Sequence, residues 1–242
     1  MQGVFVWQTA RMPSFELNLL LHGQYHDWLI SGLWLSLALI GMTLVLALPL
    51  AVAVALLRLS PWAAFRALGA TYVEGIRNVP LLAHLLFWYF GAPELLPEPV
   101  KQWLYAGNIE VASAVVALTL YIAAYMAEDI RSGIRAIPQG QFDAGRALGF
   151  SFLATMRWVI LPQAFRVTVP PLISQTLNLW KDTSVATVIG VAEMMYQAAK
   201  VESASFRSAE AFAFVTSAYL VVSLLITGAA VWVQKRHPVR AA

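Results

Sequence analysis

The sequence predicts an all-α, polytopic membrane protein with about five transmembrane helices, its N-terminus outside and its C-terminus inside. Three observations predict it. The 242 residues are 60% hydrophobic, with a mean hydropathy of +0.67, and only 12% are charged, about half the ~25% of a soluble domain. The apolar residues fall in long runs free of charge. The basic residues alternate between two sets of loops. Disorder is excluded, because there is ample apolar surface to bury. A soluble domain would need a polar coat that this composition does not supply. A net charge of +3 gives no case for nucleic acid as a partner, whereas membrane lipid is expected. With no cysteine there is no disulfide framework, thiolate metal site or cysteine nucleophile.

The first span is Trp28 to Leu57, 30 residues between Asp27 and Arg58, enough for a tilted helix. Pro49 lies inside it, which lipid-embedded helices tolerate. The second apolar region runs from about Ala67 to Pro93, with Glu74 and Arg77 near its start and its most apolar stretch at Leu81 to Phe90. The third is Val111 to Ala127, 17 residues between Glu110 and Glu128, near the lower limit for a span. The fourth, Trp158 to Trp180, contains Arg166 and Pro170-Pro171. It reads as a span starting near Arg166, with a polar interior turn around Lys181 and apolar character resuming at Val185 to Ala192. The fifth is Ala211 to Gln234, 24 residues between Glu210 and Lys235.

Charge orients these spans. Arg58, Arg66, Arg131, Arg135, Arg146, Arg157, Lys235, Arg236 and Arg240 fall in one set of loops, nine in all; the other holds five, Arg11, Lys101, Lys181, Lys200 and Arg207. The positive-inside rule makes the first set cytoplasmic. The organisation is then an external segment at 1–27, a membrane domain at 28–236 and a cytoplasmic tail at 237–242. Residues 1–27 lack a basic stretch followed by an apolar core, so no cleavable signal is expected. Phe15, Leu17, Leu19, Leu20 and Leu21 suit an amphipathic segment at the interface, and a disordered tail is an equal reading.

Several chemistries have no residues to carry them. A phosphate-binding loop of the Walker type needs glycine before its lysine, and the four lysines follow Val100, Trp180, Ala199 and Gln234. His22 and His26 have the i, i+4 spacing of a metal pair but lack a third ligand nearby, so they read as solvated histidines. There is no G-x-S-x-G turn. The chain is expected to be non-catalytic, with no cofactor of its own.

The cytoplasmic loop, about 131–160, is more informative. Pro138 and Gly140 end the preceding helix. Gln141 to Leu148 suit a short helix, with Gly149 available for a left-handed turn and Ser151 as the cap of a following helix through Arg157. Asp143 and Arg146 have the spacing of an i, i+3 pair. Two short helices at a corner make a knob. Composition alone suits an interfacial helix on the bilayer better than a docking site for a partner.

Asp143-Ala144-Gly145, then Gly149 and Ile160-Leu161-Pro162, resemble the EAA loop of ABC-importer permeases. Here Asp143 replaces Glu, Gly145 replaces the second Ala, and Ile160 and Leu161 are adjacent rather than separated. Tyr72-Val73-Glu74, Arg77-Asn78-Val79-Pro80-Leu81-Leu82, Ile160-Leu161-Pro162-Gln163-Ala164, Lys181-Asp182-Thr183-Ser184 and Ile189-Gly190-Val191 are similar to the polar amino-acid permeases, which serve histidine, glutamine, arginine and glutamate/aspartate. Trp88-Tyr89-Phe90 followed by Pro93-Glu94-Leu95-Leu96-Pro97 looks most like the glutamate/aspartate subunits. The resemblance covers roughly residues 28 to 236. It implies a five-span permease subunit of the bacterial inner membrane. The implied partners are a cytoplasmic ABC ATPase dimer that holds the ATP and Mg, a second permease subunit, identical or homologous, and a periplasmic or lipid-anchored solute-binding protein. It also implies that the loop's short helices are coupling helices. Gln141, Phe142, Asp143, Ala144, Gly145, Ala147, Leu148 and Gly149 would then seat in a cleft of the ATPase.

An amino acid carries a carboxylate and an ammonium. Lys181 and Asp182 near mid-membrane would answer each, with Asn178 and Thr183 beside them; a loop ion pair at the outer surface is the equal alternative. Glu74 and Arg77, at i, i+3, are expected to neutralise one another; in the other reading Arg77 attracts an acidic substrate. Tyr121 and Tyr125 share one face of the third span, either lining a path or packing the bundle. Two functions of other classes compete with the importer. One is an ATP-independent channel or secondary transporter, which usually shows more spans or inverted repeats; the other is a membrane scaffold.

Overall fold

The computed structural model describes residues 18–236. Among them, eleven α-helices run α1 (Asn18–Leu21), α2 (Gln24–Leu59), α3 (Ala63–Arg77), α4 (Leu81–Leu86), α5 (Glu98–Ala106), α6 (Ile109–Arg135), α7 (Gln139–Ala147), α8 (Phe152–Thr155), α9 (Leu161–Asp182), α10 (Met194–Ser205) and α11 (Ser208–Arg236). Three of these, α2, α6 and α11, are long and apolar enough to cross a membrane.

The centre is α2 against α6, with α9 packed chiefly on α6 and also touching α2, and α11 packed on α9 and α10. The buried face of α2 is Leu29, Gly32, Ser36, Leu39, Ile40, Thr43, Ala47, Ala51, Val54 and Ala55, a helical repeat built largely of small residues. That of α6 includes Ser113, Ala114, Ala117, Ala123, Ala124 and Ala127. Lipid is as apolar as a core, so helices here associate by close approach, which small residues allow. The other face of α2 exposes Trp34, Val45, Leu46, Val52 and Leu56. Along α11, Leu220, Val221, Leu224 and Leu225 are exposed, which makes it a peripheral helix.

The second apolar region is two helices, not one continuous run. α3 stops at Asn78, and Pro80 starts α4, because proline offers no N–H to continue the ladder. The break is stitched: the Asn78 amide donates to the Glu74 carbonyl at 2.8 Å, and the His84 ring lies 3.1 Å from the Ile76 carbonyl, satisfying carbonyls that a helix end leaves open. α4 continues through a π-turn, Phe87–Gly91, and a 3-10 turn, Ala92–Leu95.

The expected Glu74–Arg77 pair does not form. Glu74 instead lies 3.8 Å from Arg58 of α2, which also lies 3.5 Å from Glu128 of α6, itself paired with Arg131. This network ties α2, α3 and α6 together.

The helix of the fourth apolar region begins earlier than Arg166. A π-turn at Met156–Ile160 runs directly into α9, so the helix capped by Ser151 does not end at Arg157. α9 holds Pro170 and Pro171 without breaking and ends at Asp182. The expected turn at Lys181 lies further on: a 3-10 helix continues from Thr183 to Ile189, and the chain reverses at Gly190, which has φ +86°.

At the N-terminal end, Leu20 is fully buried, Leu21 is exposed, and α2 starts at Gln24, before the expected boundary at residue 28. Phe15, Leu17 and the tail at 237–242 lie outside the described residues. In the α4–α6 connection, the Lys101 ammonium donates to Glu94 at 2.6 Å. This carboxylate raises the Lys101 pKa above its ordinary value.

Candidate functional site: a charged cavity and a helical corner

A cavity of about 440 Å³ opens between α6 and α9, lined by Tyr121, Ile122, Tyr125, Gln175, Asn178, Lys181 and Asp182. The walls follow from helical spacing. Gln175, Asn178 and Asp182 recur at i, i+3 and i+7 on one face of α9, and Tyr121 and Tyr125 at i, i+4 on α6. The two tyrosine hydroxyls are 3.3 Å apart. The Gln175 amide donates to Asp129 at 2.9 Å, and the Asn178 amide lies 3.4 Å from Gln175 Oε1. The Arg77 guanidinium sits over the Tyr125 ring, 4.9 Å from its centroid, and so is a second cation beside the cavity rather than a partner of Glu74.

Of the five residues expected at a substrate site, Lys181, Asp182 and Asn178 line this cavity and Arg77 borders it. Thr183 does not. It is fully buried, and its hydroxyl donates to the Trp180 carbonyl at 2.9 Å. Side chains of α9 turn about 100° per residue, so the position after Asp182 points back into the bundle. The side chains of Lys181 and Asp182 make no hydrogen bond or ion pair among the described residues. Both charges face the cavity. Gln175 and Asp129 join the site without having been anticipated; the spacing of Gln175 from Asn178 and Asp182 was the available signal.

At the other end of the bundle, α7 and α8 form the expected corner. Pro138 begins α7 and Gly149 ends it with φ +79°. The Phe150 N–H donates to the Gly145 carbonyl at 3.0 Å and the Gly149 N–H to Arg146 at 2.9 Å, the paired bonds of a Schellman turn. The Ser151 hydroxyl caps α8, accepting from the Ala154 N–H at 3.3 Å. Asp143 and Arg146 form no ion pair among the described residues. Gln141, Phe142 and Gly145 face inward. Gln141 Oε1 accepts from Gln163, Phe142 packs on Ile137, Ile160 and Ala164, and Gly145 is buried against Thr155. Asp143, Ala144, Ala147, Leu148 and Gly149 face outward. Leu148, Phe152 and Leu153 are each at least 70% exposed, so the corner presents large apolar side chains outward.

Long apolar helices, a polar cavity between two of the helices and an exposed helical corner are the features of a membrane transport subunit. The chain belongs to the family described as "Binding-protein-dependent transport system inner membrane component", which matches residues 47–237. It is 36% identical over 206 residues to the glutamate/aspartate import permease protein GltJ of Escherichia coli K12, covering 84% of each chain. It is 35% identical over 221 residues to the probable glutamine ABC transporter permease protein GlnM of Bacillus subtilis, covering 91% of this chain and 94% of that one. The arginine transport system permease protein ArtQ of the same organism is 32% identical over 200 residues, covering 83% and 88%. The crystal structure of an amino acid ABC transporter with histidines superposes with a TM-score of 0.77 at 30% identity, covering 88% of this chain and 95% of that one. The chain is therefore a multi-pass permease subunit of an amino-acid ABC importer.

Proposed function

We propose that this permease passes glutamate and aspartate inward across the bacterial inner membrane through the Lys181–Asp182 cavity. The observation that carries the reading is an unpaired lysine and an unpaired aspartate lining one cavity of about 440 Å³. Lys181 would hold the substrate's α-carboxylate and Asp182 its ammonium, with Asn178 and Gln175 as hydrogen-bonding walls. This pair suits any amino acid. Arg77, on the Tyr125 ring, is the extra cation that a side-chain carboxylate requires, and the likeness to a glutamate/aspartate permease supports that assignment. Energy would come from a cytoplasmic ABC ATPase dimer seated on the outward residues of α7 and on the apolar display of Leu148, Phe152 and Leu153. A second permease subunit would complete the pathway, and an external solute-binding protein would deliver substrate. The likeness to glutamine and arginine permeases gives the second reading, the same cavity serving another polar amino acid.

The test is uptake of labelled glutamate into proteoliposomes holding this chain with its permease partner, ATPase and binding protein, with and without trapped ATP. The proposal expects ATP-dependent uptake, competed by aspartate and lost in Lys181→Ala with assembly intact. Arg77→Gln should shift preference from glutamate toward glutamine. Competition by glutamine or arginine instead of aspartate replaces the substrate. Normal uptake by Lys181→Ala removes the cavity from the pathway, and uptake without ATP removes the importer reading.

A further inference from the structure

Glu193 is an acid with no exposed surface, and it lies outside the cavity. It caps α10 by accepting from the Tyr196 N–H at 2.9 Å. A cap alone does not need glutamate: aspartate, asparagine or serine serve better at that position. The longer arm reaches three further elements. Thr187 of the 3-10 helix donates to the same oxygen, Oε1. Ser36 of α2 and Tyr219 of α11 donate to Oε2 at 3.3 and 3.2 Å. Each carboxylate oxygen therefore accepts two bonds, and every donor is a hydroxyl or an amide. Ser36 also accepts from the Met194 N–H at 3.1 Å, so α2 is tied to α10 twice at this point.

Tyr219 connects this knot to the site. Its ring lies 4.8 Å from that of Trp180, and its carbonyl accepts from the Trp180 indole N–H at 3.2 Å. Trp180 is fully buried and immediately precedes Lys181. On the other side, Thr187 holds the 3-10 helix that immediately follows Asp182. The two cavity charges thus sit on a short span of chain whose flanks both run to Glu193.

We propose that Glu193 is a positioning residue: through Tyr219–Trp180 on one flank and Thr187 on the other, it sets the end of α9 so that Lys181 and Asp182 point into the cavity. The proposal rests on the reading of that cavity as the substrate site. An N-cap role alone predicts loss of stability with no change in affinity. A positioning role predicts a change in affinity within the folded fraction.

The test measures binding of labelled glutamate and labelled glutamine by the purified permease–ATPase complex, without binding protein, alongside thermal stability and the yield of assembled complex. Tyr219→Phe keeps the ring stack and removes one bond. Glu193→Asp keeps charge and cap but shortens the reach. Each is expected to weaken binding about three- to tenfold, the effect of one buried hydrogen bond, with assembly retained. Glu193→Gln should recover most of the affinity. Its carbonyl still accepts from Thr187 and Tyr196, and its amide can donate to the two hydroxyls once they reorient. If Lys181→Ala weakens binding while Tyr219→Phe and Glu193→Asp bind normally, whatever their stability, the positioning role is overturned and the site stands. If Lys181→Ala binds normally, or the wild-type complex binds neither amino acid, the site reading falls and this proposal with it.

Discussion

Gly145 is the most constrained point of the α7–α8 corner, and Gly145→Ala tests it with opposing effects of known size. A methyl at position 145 would lie 2.6 Å from Thr155 Cγ2 and 2.8 Å from Thr155 Oγ1. Thr155 is buried and β-branched on a helix, so it has little freedom at χ1 to move away. Overpacking of this kind costs about 1–3 kcal/mol. Replacing glycine by alanine inside a helix returns about 1 kcal/mol. The single substitution should therefore be neutral to about 2 kcal/mol destabilising. Thr155→Ala removes both clashing atoms and leaves Cβ at 3.2 Å, a tight but tolerable contact. Its own cost should be small, because the Thr155 hydroxyl is buried without a hydrogen-bond partner. In the double variant the helix gain survives and the clash does not. The expected coupling is about 1–3 kcal/mol, or roughly 2–12 °C in Tm for a domain of this size. Tm of the four proteins, with the ATPase that copurifies with each, measures the cycle. Additive effects, with no coupling beyond about 0.5 kcal/mol, would refute the packing argument.

Two other perturbations follow from the same geometry. Gly32→Ala should be more damaging than Gly145→Ala, because its methyl would meet the backbone of α10 at Met194 Cα (2.9 Å) and the Glu193 carbonyl (3.0 Å), which no rotamer change relieves; a yield of folded protein equal to wild type would contradict this. Lys101→Gln should leave Tm unchanged at pH 7, because an exposed ion pair contributes little. Since Glu94 raises the Lys101 pKa, the small stabilisation is complete below the ordinary lysine value and is lost only as pH climbs through the raised one; a clear Tm difference between the two proteins at pH 7 that disappears only at strongly alkaline pH would show that the pair matters more than its exposure allows.

How much was legible in the sequence depends on how local the cause was. Pro138, Gly149 and Ser151 act on their own backbone, and the start of α7, its left-handed end and the cap of α8 all follow from them. The apolar runs of α2, α6 and α11 needed only composition. The break at Asn78–Pro80 was hidden because the region reads as one apolar run interrupted by Glu74 and Arg77, although Pro80 itself was the marker. The Glu74–Arg77 expectation failed on a nonlocal contact: Arg58, on the preceding helix, takes Glu74. α10 has only 12 residues, and its buried stripe, Met194, Ala198 and Val201, is too short to stand out beside the long apolar runs. Glu193 reads as one more polar residue, because its partner Ser36 is 157 positions away.

The order of residues at the end of α9 bears directly on the proposed substrate site. A lysine and an aspartate at i, i+3 or i, i+4 would lie side by side and neutralise each other, whereas neighbours at i, i+1 do not face one another. Lys181 and Asp182 are adjacent, so both stay open to a ligand while sharing one cavity. The proposed site gains from this arrangement, because a site that has first to break its own ion pair loses affinity at both ends of the substrate. Asn178→Asp tests the point with almost no change in shape. The new carboxylate would lie at i, i+3 to Lys181 and quench it, and at i, i+4 to Asp182, where like charges repel. Weaker binding of glutamate is expected, by about tenfold for a loss near 1.4 kcal/mol. If negative charge alone served the substrate's ammonium, the same substitution would strengthen binding of a cationic amino acid and leave that of glutamine unchanged. That pattern would show that the open lysine is not what the cavity offers.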